Sequence, residues 1–142
     1  IIGGCSDSDR MFNARLLKDT SHFKDTHQFT LLTCVSIDSI LEVVSRVSDS
    51  TLIFMSSFIT DADSNRFSSA LALGLISSES PVPVFTMSDN FIDYGGVGGH
   101  IVSFLEVGKE VGEIARDMFE NYTSNGLTKI SNSYYRHQYN WN

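Results

Sequence analysis

Apolar and polar positions alternate in blocks along this chain, and the blocks change period as they go. Ile1 to Cys5 is a short apolar run, and "SDSD" after it supplies N-cap residues for a helix carrying Met11, Phe12, Ala14, Leu16 and Leu17. "HQFTLLTCV", residues 27–35, is rich in apolar and β-branched residues and predicts a buried strand. Ser36 then caps a helix in which Ile37, Ile40, Leu41, Val44 and Val47 keep the helical period. "STLIFMSSFI", residues 50–59, is a near-continuous apolar run of the kind expected for a parallel strand covered on both faces. The polar "TDADSN" leads from it into a helix over 66–79. "VPVFTM" predicts a fourth strand, and "HIVSF", after a glycine-rich link, predicts a fifth. The longest helix is expected over 105–122, with Val107, Val111, Ile114, Ala115, Met118 and Phe119 on one face. The tail from 126 to 142, aromatic and polar, fits no regular pattern.

Strands alternating with helices of this length imply βαβ crossovers. The expected fold class is therefore α/β, a three-layer α/β/α sandwich of about five parallel strands in the order 2-1-3-4-5. At 142 residues the chain is the size of one domain, 1–142, able to bury a core without metals or a disulfide framework. Ten Lys and Arg against seventeen Asp and Glu give a net charge of −7, which repels phosphate backbones and argues against a nucleic-acid partner. No apolar run has the length of a membrane span, and "IIGG" at the start reads as the beginning of an excised fragment. Cys5 and Cys34 fall at the carboxyl ends of strands expected to be neighbours, within reach of a disulfide. The restrictive geometry of that bond favours two buried free thiols behaving as small hydrophobes.

In open α/β sheets, ligands bind beyond the carboxyl ends of the strands. The loops expected there share a composition: "CSDSDR", "CVS", "SSFITDADS" and "SDNFIDYGG". Serine, aspartate, asparagine and an occasional ring suit a small polar ligand, and the same residue types also serve helix capping and turns. Without a cluster of positive charge they favour a neutral or cationic molecule over an anionic one.

The four glycines of "GGVGGHIVSF" invite comparison with a phosphate-binding loop. A dinucleotide fingerprint places its glycines between a first strand and the helix it feeds, whereas here a strand follows them. A hinge or tight turn accounts for Gly95, Gly96, Gly98 and Gly99 at least as well. Gly108 and Gly112, four apart on the last helix, predict a flat stripe for close packing. "DSD" at 7–9 resembles the D-x-D of phosphotransferring hydrolases but lacks the residues that should follow, and a response-regulator receiver would need an Asp where the third strand ends in "MSSF". His22, His27, His100 and His137 are scattered and read as surface or capping residues. No catalytic residue, metal ligand set or cofactor is assigned.

The order "PVPVFTMSDNFIDYGGVGGHIVSFLEVGKEVGEIARDMFEN" resembles the closing part of type I periplasmic binding proteins, in particular the ABC-transporter substrate-binding-like group. Gly108, Glu110 and Ala115 match the final helix of that group. "IIGGCSDSDR" and "FMSSFITD" resemble the version found as the extracytoplasmic sensing domain of bacterial sensor histidine kinases and diguanylate cyclases. The resemblance implies a Rossmann-like second lobe whose first lobe, part of the same chain, lies outside this sequence. It implies a periplasmic domain of an inner-membrane protein that binds a sugar, amino acid or similar small polar molecule. Ser6, Asp7, Ser8, Ser56, Ser57, Asp61, Ser88, Asp89 and Asn90 would face the cleft between lobes, and Gly95 to Gly99 would lie at the hinge crossing. Lobe closure on ligand would then be the signal. Three alternatives stand beside this reading: a transporter's solute receptor, a small flavodoxin-like hydrolase or phosphotransferase using Asp7 or Asp9, and a homodimerisation module.

Overall fold

A computed structural model describes residues 1–121 and 134–140. Serine starts three of its helices. Ser6 caps α1 (Asp7–Asp19), Ser36 caps α2 (Ile37–Val44) and Ser68 caps α3 (Ser69–Glu79), each hydroxyl accepting a hydrogen bond from the backbone N–H three residues on. A serine held in extended backbone satisfies one of the free N–H groups at a helix start, so the chain turns from strand to helix where these residues stand. α3 begins three residues later than the expected 66. Residues before it are committed elsewhere, with Arg66 bridging antiparallel to Thr60 and the Phe67 N–H donating to the Ile59 carbonyl at 2.9 Å.

The strands are short. β1 (Ile2–Gly3) pairs in parallel with β2 (Leu32–Thr33), Ile2 opposite Leu32. β3 (Ile53–Phe54) pairs in parallel with β4 (Val84–Phe85), Ile53 opposite Val84. Single parallel bridges run from Ile2 to Met55, from Val84 to Gly96 and from Ser88 to Val102. β5 (Gly98–Val102) and β6 (Tyr135–Tyr139) form an antiparallel ladder with His100 opposite His137. The fold is thus mixed α/β, with helices and three two-stranded ladders among the described residues.

Three expectations are corrected here. The strands expected over 27–35 and 50–59 shrink to two residues each, and past the second of them Ser56 donates to the Ile2 carbonyl and to Asn13 while Ser57 donates to Asp9. Part of the tail expected to lack regular structure is β6. The fifth strand starts at Gly98 rather than His100, and its ladder partner is antiparallel. α4 (Phe104–Asn121) matches the helix expected over 105–122, whose last residue, Tyr122, lies outside the described residues, as do 126–133, 141 and 142 of the tail.

The core lies between α2, α3 and the strands. Ile40, Val44, Ala72, Leu73 and Ile76 pack with Ile2, Ile53, Met55 and Val84, and Phe58, fully buried, meets the Phe67 ring edge-on with centroids 5.6 Å apart. Burial of this aliphatic set is the main favourable term for folding. α1 behaves differently from its sequence pattern: Met11 and Phe12 are exposed, while the buried side chains of that helix are Asp9 and Asn13. Its inward face is polar. Among the described side chains of α4 none is fully buried: Val107 and Ile114 are half-buried, and Leu105, Val111, Met118 and Phe119 are exposed. A Cβ added to Gly108 or Gly112 would meet nothing within 4 Å among the described residues, so the flat stripe expected there packs against none of them.

Candidate functional site

The loops that follow β1, β2 and β3 are tied to one another. Gly4 N–H donates to the Ser57 carbonyl at 2.9 Å, Cys5 N–H to Thr60 at 2.6 Å and Ala62 N–H to Val35 at 3.4 Å. A disulfide joins Cys5 to Cys34, with Cα atoms 4.3 Å apart, in place of the free thiols expected from sequence. Two strands paired in parallel carry their carboxyl ends side by side, and this brings the two sulfurs within bonding range. Cys34 takes a left-handed backbone with φ of 55°, and Arg10 covers the bond. Its Nε donates to the Cys5 carbonyl at 2.9 Å, and its Nη2 lies 3.5 Å and 3.7 Å from the two sulfurs.

Two buried aspartates fix this rim. Asp9, at the third position of α1, accepts from the Ser6 N–H and the Ile59 N–H at 3.1 Å and from the Ser57 hydroxyl at 2.6 Å. With Ser6 Oγ accepting from the Asp9 N–H, it completes a capping box that reaches across to the loop after β3. Beside it, Asn13 donates to the Gly4 carbonyl at 3.2 Å and accepts from the Ser56 hydroxyl at 2.6 Å. Asp61 accepts from the N–H groups of Asp63 and Asn65, from the Asn65 side-chain amide, and from the Ile37 N–H at the start of α2. Burial pushes both carboxyls upward, and the hydrogen bonds more than offset it: Ser57, Ser6 and Ile59 hold Asp9 below its ordinary value, and Asn65, Ile37 and Asp63 do the same for Asp61.

The loop after β4 is organised by a third aspartate. Asp89 accepts from the Ser103 hydroxyl at 2.7 Å, from the Phe104 N–H at 3.1 Å and from Arg136 at 3.1 Å. It anchors the start of α4 and ties it to β6. Burial raises its carboxyl, while Ser103, Phe104 and the Arg136 charge bring it below the usual carboxylate range. Ser88 donates to Asn90 at 2.6 Å. The Thr86 hydroxyl, directly after β4, is buried and has no hydrogen-bond partner among the described residues.

The nine residues singled out from sequence therefore separate into two groups. Ser6, Ser56, Ser57, Asp61, Ser88 and Asp89 are engaged within the protein, while Asp7, Ser8 and Asn90 are exposed, Asn90 with its side-chain oxygen accepting from Ser88. Of the four glycines, Gly95 ends a 3-10 turn (Asp89–Tyr94) in a left-handed conformation, Gly96 bridges to Val84, and Gly98 and Gly99 lie in β5. Gly98, at φ of 98°, packs directly on the Gln138 carbonyl of β6, a close approach of backbone to backbone that leaves no room for a Cβ.

Sequence reasoning missed Asn13, Arg10 and Arg136, and it dispersed His100 and His137, whose rings stand 4.6 Å apart. A signal existed for Asn13: it lies four residues after Asp9 and so shares its helix face. None existed for Arg136, whose partner is 47 positions away.

No protein-family model, curated protein or solved structure matches the chain at a significant level.

Proposed function

We propose that the chain is a non-catalytic ligand-sensing lobe from the periplasmic part of a membrane-anchored bacterial signalling protein. The ladders and bridges are, on this reading, segments of one sheet in the order β2-β1-β3-β4-β5, covered by helices on both faces as in one lobe of a type I periplasmic binding protein. The observation that carries the reading is the construction of the rim. Loops after three parallel strands are locked together by Asp9, Asp61 and the Cys5–Cys34 bond, and exposed Asp7 and Ser8 start the first helix above them. A rim made rigid from behind, with polar groups in front, is pre-organised for a small polar ligand.

Asp9 is a poor nucleophile in this setting, because both its oxygens are buried and already accept hydrogen bonds. That weighs against a hydrolase or phosphotransferase. The exposed apolar side of α4, with Val111, Met118 and Phe119, is the surface on which the missing first lobe packs. A second copy of the chain is the rival occupant, and sedimentation of this chain across concentration separates them: a monomer favours the two-lobed protein, a dimer the rival.

The direct test is a thermal-shift screen of sugars, amino acids and nucleosides on the intact parent protein, repeated on a variant carrying Asp7→Asn, Ser8→Ala and Asn90→Ala. The expected result is a stabilising compound whose affinity falls at least about tenfold in the variant, a loss typical of removing polar contacts to a ligand. A compound that binds both proteins equally would place the ligand elsewhere, and turnover abolished by Asp7→Asn would favour the enzyme reading. Sequence following residue 142 in the parent separates sensor from transporter receptor: a membrane helix with kinase or cyclase sequence marks the sensor.

A further inference from the structure

We propose that His100 and His137 form a two-imidazole site for a late first-row divalent metal ion, Cu2+ foremost. They are direct partners in the β5–β6 ladder, so their side chains leave the same face from positions whose Cβ atoms are about 5 Å apart. Their ring centroids stand 4.6 Å apart, with planes inclined at 47°. An imidazole bound through one nitrogen at about 2.0–2.1 Å has its centroid about 3.2 Å from the metal, so two rings in cis at about 90–110° have centroids about 4.5–5.2 Å apart. The observed separation falls in that window. Bringing a ring nitrogen of each onto the ion takes rotation about χ2, a soft torsion for histidine.

Three neighbouring features favour occupation. Both rings are exposed, so an ion and its waters reach them freely. Tyr135 stacks on His100 with centroids 5.5 Å apart and planes within 12°, limiting the orientations that ring samples and lowering the entropy lost on binding. The chain's net charge of −7 concentrates cations around it, and the adjacent Arg136 is turned to Asp89.

Among the described residues no group of three or more His, Cys, Asp or Glu is placed to hold a metal, so water completes the coordination. Such a site is open and exchangeable, unlike a structural zinc site closed by four protein ligands. Imidazole nitrogen selects copper, nickel and zinc over magnesium and calcium, and affinity rises toward Cu2+. Binding would pin β6 to β5 and so favour the folded ladder over the unfolded chain.

The test uses untagged protein at neutral pH, titrated with CuCl2 and separately with NiCl2 and monitored by calorimetry and proton NMR. Saturable binding of one ion is expected, with selective broadening of the His100 and His137 ring signals by Cu2+ and a rise in Tm. His100→Ala and His137→Ala should each weaken binding by at least about tenfold, the order of loss seen when metal-site residues are removed. The double variant His22→Ala/His27→Ala should bind as the parent does. Absence of saturable binding, survival of binding in both single variants, or broadening confined to His22 and His27 would each overturn the proposal. The NMR arm needs no substitution, so it stands even if a variant unfolds.

Discussion

Asp9 joins the start of α1 to the loop after β3, and its replacement is the most informative single change in the protein. Asp9→Ala would leave the Ser57 hydroxyl and the Ile59 N–H without an acceptor and break the capping box, so a loss of about 2–4 kcal/mol is expected in urea unfolding. The sign of the acid response follows from the same bonds. Asp9, Asp61 and Asp89 have carboxyls lowered by folding, so they contribute stability that is fully present above the unfolded value near 3.8 and is lost as pH falls through the lower folded values. Tm measured against pH should hold steady above about pH 5 and decline below about pH 4, near the unfolded carboxylate value, and Asp61→Asn should make that decline shallower. At this scale the sequence was partly legible. Ser6, Ser57 and Asp61 were recognisable as polar loop residues, but ligand contact and capping require the same groups, so composition could not separate them. Asp9 resembled part of a catalytic pair because its acceptors are filled by residues about fifty positions away, which only the fold brings near.

Among the elements, those read correctly were the ones with strong local signals. α2 starts at the Ser36 cap as expected and buries Ile37, Ile40 and Val44, features written in one turn or two of sequence, though it ends before Val47, which the pattern had included. β6 was illegible because its partner supplies the pattern: Tyr135, His137 and Tyr139 face outward and Arg136 points to Asp89, so no run of apolar residues marks it. Its dependence on Gly98 is open to measurement. Gly98→Ala puts a Cβ onto the Gln138 carbonyl at a backbone angle that favours glycine, and hydrogen exchange at Arg136 to Tyr139 should accelerate at least about tenfold, the result of roughly 1.4 kcal/mol or more of lost local stability. The disulfide is the second element-scale device. Its 29-residue separation corresponds to about 3.6 kcal/mol in the chain-entropy account, so Cys5→Ser/Cys34→Ser should lower unfolding stability by about that amount. Sequence placed the two strands side by side, but the narrow geometry of the bond weighed toward free thiols, and only the fold fixes how the two ends meet.

For the whole molecule, the alternation of strand and helix was readable over most of the chain, and what escaped was the environment of each face. α1 and α4 both carry apolar residues at helical spacing, yet the first turns Asp9 and Asn13 inward and the second leaves Leu105, Val111, Met118 and Phe119 exposed. Periodicity reports that a face exists and not what covers it. Because Met118 and Phe119 are largely exposed, replacing both by serine should change the unfolding free energy of this chain by less than about 0.5 kcal/mol; on the proposed two-lobed reading, the same change in the longer protein should cost several times more.

The bond between Cys5 and Cys34 also makes residues 5–34 a closed covalent ring with α1 and the exposed turn around Lys24 inside it. A trypsin cut at Lys24 would open that ring without releasing a piece. The nicked molecule should run as a single band on a denaturing gel until a reductant is added, and should then separate into two fragments.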